Sequence, residues 1–119
     1  MTKKFYIAGP ITGEDQVDIQ LSFYRMERRL LDSGHKAYNP AALPDGLPWG
    51  AYMQTALAVL CSGVIDGIIM LEGWSRSNGA RIERLAALAL KIPVYYESDA
   101  AKEENTKVVR MNDKRGNHI

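Results

Sequence analysis

The chain has one cysteine, Cys61, among 119 residues. That excludes a disulfide framework and a cysteine-based metal site, and it suits a reducing compartment. Its two histidines, His35 and His118, are too few and too scattered for a histidine metal cluster. No metal and no cofactor is therefore expected. Charge of one sign is lacking as well: 15 basic residues face 14 acidic ones, for a net charge of +1. This argues against the strong basic field of a dedicated nucleic-acid binder and points to a small-molecule partner. No apolar run approaches the ~18 residues that suggest a membrane helix, and Gly9-Pro10 cuts the N-terminal apolar stretch too short for a signal peptide. A cytoplasmic protein with no membrane partner is the expectation.

What is present is a globular balance, 46% hydrophobic and 24% charged, at a length that fits one domain. Phe5-Tyr6-Ile7-Ala8 reads as a buried strand ended by Gly9-Pro10. Ile19, Phe23, Met26 and Leu30 then recur at helical spacing, which predicts an amphipathic helix from about Asp15 to Asp32, stopped by Ser33-Gly34. Lys36-Ala37-Tyr38 is a short strand ended by Asn39-Pro40. The proline-rich stretch from Pro40 to Pro48 is an irregular loop, a candidate lid, whose leucines together with Trp49 suggest packing. A second helix runs from Trp49 to Leu60, with Tyr52, Ala56, Val59 and Leu60 on one face.

Val64 to Leu71 is apolar apart from Asp66 and Gly67, as a central parallel strand buried on both faces should be. A helix from Gly79 to Leu90, with Ile82, Leu85, Ala86 and Ala89 as its inner face, and a strand from Ile92 to Tyr96 complete the pattern. The order β-α-β-α-β-α-β predicts a small doubly wound, flavodoxin- or Rossmann-like α/β fold: a parallel sheet of four to five strands with helices on both faces. The domain spans residues 1–97. Residues 98–119 form a charged tail in which Lys107 to Met111 could pair as an edge strand, with partial disorder as the equal alternative.

In such a sheet ligands bind beyond the carboxyl ends of the strands, so two loops should meet there: G-P-I-T-G, Gly9 to Gly13, and E-G-W-S-R-S-N-G-A, Glu72 to Ala80. Both feed helix N-termini, which favour anions. Neither is a dinucleotide or Walker fingerprint. Just beyond the second loop, Glu83 sits in the first turns of a helix. It is either a partner for the helix dipole or a functional carboxylate; a capping box is excluded, because that would need a capping residue where Ala80 stands. Asp66 has a local reading as the residue that ends the helix–strand turn.

Together, Y-I-A-G-P-I-T-G at Tyr6 to Gly13, V-I-D-G-I-I-M-L at Val64 to Leu71 and S-N-G-A-R-I-E at Ser77 to Glu83 resemble the nucleoside 2-deoxyribosyltransferase superfamily. The resemblance covers most of Lys4 to Tyr96 and is greatest to a small branch of unknown function common in phages and bacteria. It implies an enzyme of the N-glycosidic bond, either a 2-deoxyribosyltransferase or a deoxynucleoside 5′-monophosphate N-glycosidase. Glu83 would be the nucleophile, forming a glycosyl-enzyme as a retaining glycosidase does. It further implies that Tyr6 and Gly9 line the sugar and base pocket, that Pro10 and Thr12 belong to the first loop's cradle, and that Ser77, Gly79 and Ala80 hold a 5′-phosphate. Asn39, Trp49 and Trp74 would face the same pocket, where indole rings can stack a base. Superfamily members are homo-oligomers, often with a residue from a neighbouring subunit completing the pocket; Tyr52, Met53 and Leu57 are candidates for such an interface.

Two departures stand out. The superfamily's proton-handling aspartate has no counterpart, since Leu57 and Ala58 occupy that neighbourhood. The monophosphate hydrolases also carry G-S-I-R-G where this chain has G-P-I-T-G. The alternative reading is therefore a non-catalytic module of the same fold that binds or sequesters a nucleotide.

Overall fold

The computed structural model describes residues 2–11, 15–42 and 46–98. Thr12 and Gly13 of the first loop and the tail, with its candidate strand at Lys107 to Met111, lie outside these residues. Among the described residues four strands, β1 (Lys4–Ala8), β2 (Lys36–Tyr38), β3 (Gly67–Met70) and β4 (Val94–Tyr96), alternate with three α-helices, α1 (Gln16–Asp32), α2 (Trp49–Leu60) and α3 (Asn78–Ala89). All pairings are parallel and the order is β2-β1-β3-β4. The architecture is the expected Rossmann-like α/β fold. Among the described residues no helix is long and apolar enough to cross a membrane.

Alternation along β1 divides the core. Phe5 and Ile7 join Ile19, Phe23, Met26 and Leu30 of α1 on one face, so the stripe expected from spacing is the one that is buried. Tyr6 and Ala8 point to the other face, against Ala56 and Leu60 of α2 and Ala80 and Ala87 of α3. Helix α1 starts where Asp15 accepts the backbone N–H groups of Val17 and Asp18, and it ends before Gly34 at φ +87°.

Several expectations are corrected. Strand β3 is shorter than Val64 to Leu71, because residues 64–66 only approach the sheet; Val64 is exposed. Strand β4 starts at Val94 rather than Ile92, since Pro93 has no N–H to pair and contributes only its carbonyl, to Ile68 N–H. Leu47 and Trp49 do not pack into the core: Trp49 is 51% exposed. Met53 is core rather than interface, and Tyr52 turns inward.

The largest correction concerns α3. Its inner face is Gly79, Ala80, Glu83 and Ala87, while Ile82 is 38% and Leu85 60% exposed and Ala89 is exposed as well; only Ala86 of the expected face is partly buried against the core. Small residues set this orientation. A Cβ at Gly79 would come 3.3 Å from Met53 Sδ, so α3 lies too close to α2 for a bulky side chain on that face.

Space is just as tight at the start of β3. A Cβ on Gly67 would sit 2.7 Å from Phe5 Cε1 and 3.0 Å from Tyr95 Cε2, inside an aromatic pair packed edge-on with centroids 6.1 Å apart. Gly67→Ala should destabilise the fold by about 2 kcal/mol through overpacking. Urea denaturation is the check, and a midpoint equal to that of the parent chain would contradict this packing account.

Candidate functional site

The chain leaves β1 toward β2 on one side and reaches β3 on the other, so the β1/β3 boundary is the switch point of the sheet, where its carboxyl ends open a crevice. A cavity of about 760 Å³ lies there, within the size range of small-molecule sites. Gly9 and Ile11 from the loop after β1 line it together with Arg76, Ser77, Asn78, Gly79 and Ala80 from the loop after β3 and the start of α3. Gln16 and Gln20 of α1, and Trp49 and Tyr52 of α2, supply other walls. The described part of the first loop, Gly9 to Ile11, and the second loop converge there as expected.

Ser77 makes the start of α3 a defined corner. It is the N-cap, and its hydroxyl accepts the Ala80 N–H at 3.1 Å. Ser77→Ala should cost about 1 kcal/mol; thermal melts of the variant test this, and an unshifted melt would mean that the cap contributes nothing. This cap also places Glu83 six residues from the N-cap, beyond the first turn, where the helix dipole acts weakly. The dipole reading of Glu83 loses its ground.

Glu83 faces the sheet and is 1% exposed. Its Oε2 accepts the Tyr6 hydroxyl at 2.5 Å and, more loosely, the Tyr52 hydroxyl at 3.4 Å. The cluster follows from register: Tyr6 points to the α2/α3 face of β1, and its partner in β2, Tyr38, stacks on it with centroids 5.3 Å apart. Burial pushes the Glu83 carboxyl up to about 7, against the two tyrosine hydrogen bonds, which pull it down. Burial first, then the neighbouring Glu83 charge, pushes the Tyr6 and Tyr52 phenols well above their ordinary range and Tyr38 upward. The tyrosines thus stay protonated donors, while the carboxyl titrates near neutrality.

The residues expected at the site separate into groups. Gly9, Trp49, Ser77, Gly79 and Ala80 line the cavity. Tyr6 and Glu83 meet each other but lie outside its lining, whereas Tyr52, hydrogen-bonded to the same carboxylate, is part of the lining. Pro10 is not in the lining; its ring lies next to Gly73. Asn39 is turned away, donating to Glu27 at 2.9 Å and accepting the Ala41 N–H. Trp74 packs on Tyr96 and under Arg84, whose guanidinium carbon is 5.1 Å from the ring centroid, so its indole is committed elsewhere. Thr12 lies outside the described residues. Asp66 is structural: its carboxylate accepts the Lys4 N–H at 2.8 Å at the amino end of the sheet, opposite the cavity.

Tyr52, Gln16 and Gln20 were not identified as site residues from sequence. Tyr52 carried a signal, since its spacing already put it on the inner face of α2. Nothing local marked Gln16 and Gln20, because a polar residue in the first turns of a helix has the pattern of a solvated one. Among the described residues no group of His, Cys, Asp and Glu is arranged to hold a metal ion.

No curated protein matches the chain, and no solved structure does. A family model does match, over residues 3–96, which spans β1 through β4 and therefore the whole sheet and the cavity edge. The protein belongs to the family described as domain of unknown function DUF4406.

Proposed function

We propose that the protein cleaves or exchanges the N-glycosidic bond of a deoxynucleoside or deoxynucleotide, with Glu83 as nucleophile. The observation that carries this reading is a carboxylate, buried and held by a tyrosine hydroxyl, directly behind a side chain that lines a small-molecule cavity at the ligand edge of the sheet. In the reaction the ionised Glu83 attacks the anomeric carbon, the bond to the base breaks, and its electron pair leaves with the base. Water or a second base then displaces the glutamate, which leaves again as a carboxylate. Tyr6 orients the carboxylate by donating to Oε2. With burial pushing the carboxyl up to about 7, both its ionised and its neutral form are accessible around neutral pH.

Two observations favour a second reading, a nucleotide-binding module without turnover. Glu83 is closed off in the form described, and Ala58, near which the superfamily's aspartate would fall, is exposed and carries no acid. Incubation with a panel of deoxynucleosides and their 5′-monophosphates, read by chromatography for released or exchanged base and by thermal shift for binding, separates the two. Base release supports the enzyme. Stabilisation without product supports the binding module, and no response to any compound removes both.

A further inference from the structure

We infer that Tyr52 is a positioning residue that latches the buried carboxylate: it covers Glu83 at rest and must swing aside before a molecule in the cavity can meet it. This rests on the reading of Glu83 as the reacting group, and it adds a residue that the resemblance did not supply.

Three features of the geometry support it. Tyr52 lines the cavity and hydrogen-bonds Glu83, while Glu83 itself is 1% exposed and absent from the lining, so Tyr52 lies on the short route between them. Its bond to Oε2, at 3.4 Å, is the weaker of the two, at the long limit for such contacts; the 2.5 Å bond from Tyr6 is the stronger. Breaking the weaker bond leaves the carboxylate still oriented.

Tyr6 cannot play this part, because it is fully buried in a central strand and stacked on Tyr38. Tyr52 is only partly buried and has cavity space beside it. Side-chain rotation of such a ring is fast compared with turnover of ordinary enzymes. The groups facing the carboxylate are Tyr6 from β1 and Tyr52 from α2, with Tyr38 of β2 close enough to sense its charge. Removing the Tyr52 hydroxyl takes away one donor to the charged form, so Glu83 should then titrate at higher pH.

The test needs no substrate. Folded parent chain, Tyr52→Phe and Tyr52→Ala are treated with a water-soluble carbodiimide and a small amine at pH 6, and modification of Glu83 is timed by peptide mass spectrometry, with exposed Asp32 as internal standard. Tyr52→Ala should react at least tenfold faster than the parent chain. Tyr52→Phe, which keeps the ring but not the latch, should react about threefold faster, in line with loss of one weak hydrogen bond. Its Glu83 midpoint, read by carboxyl NMR, should also move up.

Equal rates in Tyr52→Ala and the parent chain overturn the proposal. So does a Tyr52→Phe variant that matches the parent in both rate and midpoint, since the ring would then be a fixed wall. If Tyr52→Ala does not fold, Tyr52→Leu takes its place, with the same expected and overturning results. Failure here leaves the glycosidic reading to its own nucleoside panel, and failure of that panel leaves the labelling result standing.

Discussion

Glu83→Gln should raise the melting temperature by about 10 °C at pH 8 and leave it nearly unchanged at pH 4.5. The carboxyl titrates at about 7 in the folded protein against an ordinary value of 4.5, with burial as the main cause. The folded state therefore holds this proton more tightly than the unfolded state does. Stability from this group is complete below about pH 4.5, declines as pH rises through the window up to about 7, and is absent above it.

The loss across that window is about 3 kcal/mol. In a domain of this size that corresponds to roughly 10 °C. Glutamine has nearly the same shape and can accept a tyrosine hydroxyl, but it never ionises, so the variant escapes the cost. His35 runs the other way, because burial lowers its titration and makes the fold lose stability on acidification. Both proteins share His35, so the difference between the two melting curves isolates Glu83. Scanning calorimetry at half-unit pH steps is the measurement, and a difference that stays constant from pH 4.5 to 8 would contradict a buried, neutral-leaning carboxyl. A residue that costs stability at neutral pH and is nonetheless present has the character of a functional group.

The same substitution should lower turnover by at least about 10³-fold on whichever nucleoside or nucleotide the parent chain cleaves, because an amide cannot form the glycosyl ester. Stabilisation by that compound in a thermal shift should survive, since the cavity walls are unchanged. The parent chain should gain kcat/KM with rising pH and level off above about 7, as the free carboxyl ionises. Wild-type rates in Glu83→Gln would remove Glu83 from the chemistry altogether. A parent chain that binds nucleotides without releasing base would shift the assignment to the binding module.

Legibility in the sequence differed sharply between elements. Helix α1 was readable to within a residue, face included, because Ile19, Phe23, Met26 and Leu30 are large, regularly spaced and opposed by charge. The same reasoning failed for α3. There the large side chains Ile82 and Leu85 point outward, and glycine, two alanines and a glutamate point in. Hydrophobic spacing identifies the buried face only where the gap to the sheet admits large side chains, and the width of that gap is a property of two packed elements. Trp74 and Asn39 illustrate a related limit. Each sits at the right end of the right strand, but Arg84 with Tyr96, and Glu27 with the Ala41 N–H, claim their polar and aromatic surfaces first.

By itself the sequence determined the order of strands and helices, the parallel sheet that this order enforces, and the edge at which Gly9 to Ile11 and Glu72 to Ala80 gather, because these depend on local periodicity and on the handedness of crossovers. It also singled out Glu83. Only the tertiary structure decided what surrounds that carboxyl. Tyr6, Tyr52 and Glu83 come from β1, α2 and α3, and they meet because strand alternation, the inner face of α2 and the close approach of α3 aim three side chains at one point. Burial at that point holds the glutamate near neutrality, and burial is set by everything packed around a residue.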